Sequence, residues 1–109
     1  MLLENVIKKI QTDLSEGMKF EDLSKEDVGS IFEIIQLLDH GKIRVSEKQA
    51  TAETERSVWK TNEWVKQAIL YYFKLQKMHL YDFNEIRFYD KIPVKKWTGS
   101  ENVRVVPPA

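Results

Sequence analysis

Arg104 stands between Val103 and Val105, an isolated guanidinium in an apolar run that leads to Pro107 and Pro108. Arginine presents its donors as a planar fork, and that fork fits a carboxylate through two parallel hydrogen bonds. The two prolines disfavour helix at their own positions and at the residues before them, so the segment reads as extended backbone. A guanidinium on such a backbone suits capture of an anionic substrate. It equally suits a surface arginine without a role, and the residues alone leave both readings open. Arg104 is the one substrate-binding candidate. No catalytic, cofactor-binding or metal-binding candidate accompanies it.

The other reactive side chains fall into structural patterns. His40 and His79 are the only histidines, and they lie in different segments. A metal site generally needs three or four ligands, so two distant histidines argue against one. His40 follows a helical run, where a cation complements the negative end of the helix dipole. Glu21-Asp22 and Glu26-Asp27 are paired carboxylates of the kind that acid–base chemistry uses. They also sit where helix starts favour negative charge, which is the stronger reading. Lys66, Lys74 and Lys77 interleave with Tyr71, Tyr72 and Phe73, superficially a platform for single-stranded nucleic acid. Aromatics at helical spacing more commonly build a core. A phosphate-binding glycine loop and a nucleophile motif are both lacking.

Three helices and a hairpin are the elements that must position these groups. Leu3, Val6, Ile7, Ile10 and Leu14 recur at three- and four-residue spacing, predicting a helix over 2–16 that Gly17 stops with a positive φ. Phe20 and Leu23 in the connection are available to close over the core. Ser24 followed by Asp27 resembles a capping box and opens a helix over 25–40, with Gly41 beyond its end. Its apolar face is Val28, Ile31, Phe32, Ile35 and Leu38, widened by Ile34 and Leu37. Ile43 and Val45 then alternate with polar residues, which reads as a short strand, and Val58-Trp59-Lys60 as its return. Together they predict a small hairpin over 42–60, with residues 49–57 as its polar, mobile loop. Thr61 or Asn62 caps a third helix near 62–75, apolar nearly all round and so expected to be buried on more than one face. The stretch through Arg87–Pro93 alternates irregularly, suggesting short extended pieces and turns. The expected fold is mainly α (α+β): a small three-helix domain with a short β-hairpin.

Bulk properties bound the rest. The chain has 109 residues, 42% hydrophobic and 11% aromatic, enough for one modest core. Seventeen basic and seventeen acidic residues balance, which gives nucleic acid no overall attraction. Residues 1–40 nonetheless carry 4 basic against 9 acidic side chains, and residues 41–109 carry 13 against 8. That asymmetry fits either two solvated faces that attract each other or a basic surface that meets an anionic partner. No apolar run approaches the roughly 18 residues that span a bilayer. Absent cysteines and the lack of a secretory start fit a cytoplasmic protein.

Four segments, in order, resemble one family. Leu37-Leu38-Asp39-His40-Gly41-Lys42-Ile43-Arg44-Val45-Ser46-Glu47-Lys48 is the first, and Trp59 with Asn62-Glu63-Trp64-Val65-Lys66-Gln67-Ala68-Ile69-Leu70 the second. Phe88-Tyr89-Asp90-Lys91-Ile92-Pro93 and Val103-Arg104-Val105-Val106-Pro107-Pro108-Ala109 complete the set. These are similar to segments of the bacterial tetrahydrodipicolinate N-succinyltransferases, and residues 1–36 resemble them only in helical pattern. Residues 49–57 depart from the family in a longer, more polar loop, and Lys74 replaces an arginine. The resemblance implies transfer of succinyl from succinyl-CoA to tetrahydrodipicolinate, in diaminopimelate and lysine biosynthesis. It implies a helical amino-terminal domain, here 1–100, and an extended linker, 101–109, into a left-handed parallel β-helix absent from this sequence. It further implies a homotrimer with active sites between neighbouring β-helices. Arg104 is then a contact to the dicarboxylate substrate. The acid–base carboxylates and most CoA contacts fall beyond residue 109, so the fragment is expected to be inactive and to bind no cofactor. Neither a nucleic acid nor a membrane is an expected partner. The competing expectation is a stand-alone helical module that holds a partner protein through its apolar helix faces. A downstream hexapeptide repeat would decide for the enzyme.

Overall fold

Helix α1 spans Leu3–Ser15 and buries Val6, Ile7 and Ile10 on the stripe set by their spacing. It is the first element of a computed structural model that describes residues 2–50 and 57–107. A short 3-10 turn, Phe20–Asp22, leads to helix α2 at Lys25–Asp39. Both helices end by the same device. Gly17 has φ 105°, its amide donates to the Leu14 carbonyl, and Met18 N–H reaches back to Asp13. Gly41 has φ 71°, with Gly41 N–H on Leu38 and Lys42 N–H on Leu37. These paired bonds are the Schellman motif, which needs a left-handed residue just past the helix and satisfies its last carbonyls.

The start of α2 follows the expected cap only in part. The Ser24 hydroxyl accepts from Asp27 N–H at 3.1 Å, as an N-cap should. The Asp27 carboxylate, however, accepts from Lys9 Nζ of α1 at 3.3 Å. Asp27 is 8% exposed, and Lys9 is the partner that its burial calls for.

Strands β1 (Ser46–Ala50) and β2 (Ser57–Thr61) pair antiparallel, from Ser46 opposite Thr61 to Ala50 opposite Ser57. The hairpin lies within 42–60 but for one residue, while its first strand starts later than Ile43 and Val45 suggested. The backbone before β1 is held by Asn62. Asn62 side-chain Nδ2 donates to Arg44 O at 2.8 Å, and Asn62 N–H donates to Val45 O at 2.7 Å. Ile43 packs at the edge of the core instead of standing in a ladder. Of the expected 49–57 loop, 49, 50 and 57 are strand, and 51–56 lie outside the described residues.

Helix α3 spans Glu63–Leu75 and buries Val65, Ala68 and Tyr71. Asn62 precedes it without capping it through its side chain, since that amide is held by Arg44. Leu70 is 56% exposed and Phe73 45% exposed, so the helix is not buried on all its apolar faces. Val6, Ile7, Ile10, Ile31, Ile34, Ala68 and Tyr71 form one core where the three helices meet. Phe20 and Leu23 close over it as their spacing suggested. Residues 1–76 form one compact unit and 77–109 a second.

The second unit holds a hairpin that the sequence pattern left unpaired. Strands β3 (His79–Phe83) and β4 (Ile86–Asp90) run antiparallel, with Phe83 opposite Ile86. That register leaves a two-residue loop, and Asn84 takes φ 66° at its first position. Asn tolerates left-handed φ there, and its N–H donates to Asp82 Oδ1 at 3.0 Å. Asp82 and Arg87 face each other across the ladder, 3.4 Å apart. Among the described residues the fold is thus a small α+β one, with three α-helices and two two-stranded sheets.

Candidate functional site

The chain approaches Arg104 through a turn closed by one carboxylate. Glu101 Oε1 accepts from the Thr98 hydroxyl at 2.8 Å and from Thr98 N–H at 3.1 Å. Its Oε2 accepts from Gly99 N–H at 3.0 Å. The Thr98 and Ser100 hydroxyls lie 2.6 Å apart, and Ser100 N–H donates to Thr98 Oγ1 at 3.2 Å. Donors gathered round an anion favour its charged form. The Glu101 carboxyl is accordingly held below its ordinary range, first by its own backbone N–H and then by the Thr98 hydroxyl and the Thr98 amide. Gly99 has φ 91° and Asn102 φ 57°, so left-handed residues sit inside the turn and directly after it. Arg104 lies two residues further on and is exposed. Among the described residues no acidic side chain pairs with it in the way that Asp82 pairs with Arg87.

The surroundings within the same unit are apolar. Phe83, Ile86, Phe88, Val94, Trp97, Val105 and Pro107 line a groove of about 510 Å³, with Lys95 at its side. Lys95 Nζ lies 5.5 Å from the centre of the Trp97 ring, within cation–π reach. Val105 and Pro107 contribute to this groove while Arg104 does not. The geometry therefore sets an exposed guanidinium in a segment whose neighbours line an apolar groove.

The remaining candidates resolve structurally. His40 closes α2, its Nδ1 2.8 Å from the Gln36 carbonyl, and His79 starts β3 with its ring 6.4 Å from Tyr81. Among the described residues, no group of three or more His, Cys, Asp or Glu converges as metal ligands would. Glu21 and Asp22 lie in the 3-10 turn and Glu26 and Asp27 in the first turn of α2. The lysine–aromatic pattern does not make a stacking platform. Tyr71 is buried against Phe20 with ring centres 5.9 Å apart, and Lys74 Nζ lies over that Phe20 ring at 5.3 Å. Tyr72 packs edge-on to Phe32. Burial raises the Tyr71 phenol above its ordinary range, partly offset by a hydrogen bond with Gln67. No helix of the described residues is long and apolar enough to cross a membrane.

Sequence reasoning passed over Glu101. Its signal was the spacing Thr98-Gly99-Ser100-Glu101, a hydroxyl and a glutamate three apart, which also marks helix starts. With Pro107 and Pro108 ahead and no apolar periodicity after it, the pattern closes a turn instead.

Comparison with known proteins agrees with the sequence resemblance. Residues 2–75 match the family described as the tetrahydrodipicolinate N-succinyltransferase N-terminal domain. The chain is 43% identical over 84 residues to a 2,3,4,5-tetrahydropyridine-2,6-dicarboxylate N-succinyltransferase from Coxiella burnetii (strain RSA 493 / Nine Mile phase I), an overlap of 73% of this chain and 29% of that protein. It is 34% identical over 112 residues to the protein of that name from Buchnera aphidicola subsp. Acyrthosiphon pisum, covering 94% of this chain and 39% of the relative. The like-named protein of Blochmanniella floridana is 31% identical over 118 residues, 97% of this chain and 40% of its own length. The chain thus spans roughly a third of the length of these relatives. Of residues 1–36, similar to the family in sequence by helical pattern alone, 2–36 fall inside the matched family span.

Proposed function

The chain belongs to the tetrahydrodipicolinate N-succinyltransferase amino-terminal family, and from that premise we propose that it serves an intact succinyltransferase as its substrate-contacting and subunit-packing domain. In that protein water adds across the cyclic imine and opens the ring to an amino ketone, and the freed amino nitrogen attacks the thioester carbonyl of succinyl-CoA. The carbon–sulfur bond breaks, CoA leaves as its thiol, and the nitrogen gives up a proton. The product is a step on the route to diaminopimelate and lysine, made in the cytoplasm.

The family match over residues 2–75 carries this reading. Arg104 supports it: an exposed cation without an acidic partner among the described residues, in a segment similar to the family's substrate-contacting one. A dianionic substrate needs a fixed positive group once water is excluded, and the guanidinium fork meets one carboxylate at two points. Leu70 and Phe73, exposed on α3, support packing against further protein, in keeping with a homotrimer. Residues 101–109 would lead into a left-handed β-helix that brings the acid–base groups and the CoA contacts.

The test is CoA release from succinyl-CoA and tetrahydrodipicolinate, run on the full-length protein and on residues 1–109 alone. Turnover by the first and none above background by the second is expected. A silent full-length protein, or turnover by the isolated chain, overturns the proposal.

A further inference from the structure

We propose that Glu101 is a positioning residue for substrate capture, its carboxylate closing the 98–101 turn that sets the direction in which the chain delivers Arg104. This rests on the reading of Arg104 as the dicarboxylate contact and extends it to a residue outside the apolar segment that carries it.

Three donors from two consecutive residues converge on the Glu101 carboxylate: the Thr98 hydroxyl, Thr98 N–H and Gly99 N–H, all within 2.8–3.1 Å. Hydrogen bonds to a charged acceptor are about twice as strong as neutral ones, so this carboxylate is the main tie across the loop. Without it, a Gly-Ser pair flanked by polar residues has many alternative conformations, glycine most of all. Two left-handed residues, Gly99 and Asn102, lie in and just beyond the loop. Each turns the chain sharply, so a change at either one swings the residues after it. Arg104 is only two residues past Asn102.

Direction matters because bidentate recognition is geometric. A misplacement near 1 Å at a binding or reacting group can cost on the order of a hundred-fold in rate. Val105 and Pro107 line the apolar groove beyond Arg104, and the hydrogen-bonded Glu101 turn lies before it. The guanidinium itself is exposed, so its direction is set by the turn that precedes it. The lowered proton affinity of Glu101 agrees with a carboxylate that stays charged in this turn throughout the neutral range. Glu101 is exposed and ties only its immediate neighbours, so its loss should leave global stability nearly untouched.

The experiment is a double-mutant cycle in the full-length protein: wild type, Glu101→Ala, Arg104→Ala and the double variant, with KM and kcat measured for each substrate. Glu101→Gln is added because a single amide oxygen can keep only part of the donor set. Glu101→Ala should raise KM for the dicarboxylate by roughly ten-fold, less than Arg104→Ala does, with KM for succinyl-CoA and the thermal midpoint unchanged. Glu101→Gln should fall between. In the Arg104→Ala background, removing Glu101 should add little, because it acts through the guanidinium. If Arg104→Ala raises KM and Glu101→Ala does not, the turn has no positioning role and the Arg104 reading stands. If Glu101→Ala costs as much without Arg104 as with it, the proposal also fails. If Arg104→Ala itself changes nothing, both ideas are overturned together.

Discussion

Arg104 and Tyr71 show how differently two side chains can be tied to their surroundings. Arg104 is exposed and contributes little to folding, so its loss should appear in kinetics alone. In the full-length protein, Arg104→Ala should raise KM for the dicarboxylate by roughly ten- to a hundred-fold, from charge-assisted bonds of about 1.5–3 kcal/mol each. Arg104→Lys should recover part of this, since an ammonium offers charge without the fork. Steady-state kinetics with each substrate varied in turn is the measurement, and a wild-type KM in the alanine variant would return Arg104 to the ordinary surface. Tyr71 is the opposite case, buried in the core with its phenol pushed above the ordinary tyrosine range by desolvation. The folded state therefore favours the protonated phenol. The stability this gives is complete below the unfolded value near pH 10 and is lost as pH rises through the higher folded value. Tyr71→Phe should thus lessen the alkaline loss of stability, read as thermal midpoints between pH 8 and 11. Arg104 stood out as a candidate because a cation between valines and before two prolines is conspicuous. Glu101 was not, because a turn closed by a side-chain acceptor leaves no periodic trace.

At the scale of elements, the legible features were those with local physical causes. Ser24, Gly17 and Gly41 marked helix ends because a hydroxyl cap and a left-handed residue are needed at those places whatever surrounds them. Ser24→Ala should lower stability by about 1 kcal/mol. Gly41→Ala should cost about 1–2 kcal/mol, from left-handed backbone alone. Among the described residues a Cβ on Gly41 would meet nothing closer than the Arg44 guanidinium at 4.0 Å, so no clash there adds to that figure. Urea unfolding of both variants measures the two effects, and a Gly41→Ala protein as stable as the parent would contradict the strain account. The first strand was harder to place. Ser46-Glu47-Lys48-Gln49-Ala50 holds no β-branched or aromatic residue, so nothing in its composition announces a strand. Its conformation comes from pairing with Val58-Trp59-Lys60, a non-local cause. The Asn62 side-chain amide on Arg44 O is another such cause, holding the backbone ahead of the ladder where Ile43 packs against the core.

On the scale of the whole chain, the two compact units differ in what can stabilise them. The family match ends at residue 75 and the first unit at Gln76, so the matched domain and the physical one coincide. That unit buries Ile7, Ile10, Ile31, Ile34 and Val65 completely, with nearby aromatics packed on the same core. At about 0.05–0.15 kcal/mol per residue, a unit of this size has roughly 4–11 kcal/mol to lose. Ile31→Ala, at about 2–5 kcal/mol for a buried isoleucine, should remove a large share of that. The second unit has no fully buried side chain among its described residues, and β4 is exposed along its whole length. A two-stranded hairpin without a core is at best marginal in water. Native-state hydrogen exchange on the 109-residue chain should therefore separate them. Slow amides should lie in α1, α2 and α3, exchanging at or near the global unfolding free energy, and Ile31→Ala should lower that protection. Amides of β3 and β4 should exchange through openings of no more than about 1–2 kcal/mol. Uniformly slow exchange across both hairpin strands would mean that residues 77–109 draw stability from something other than their own packing, and the account of two unequal units would have to be abandoned.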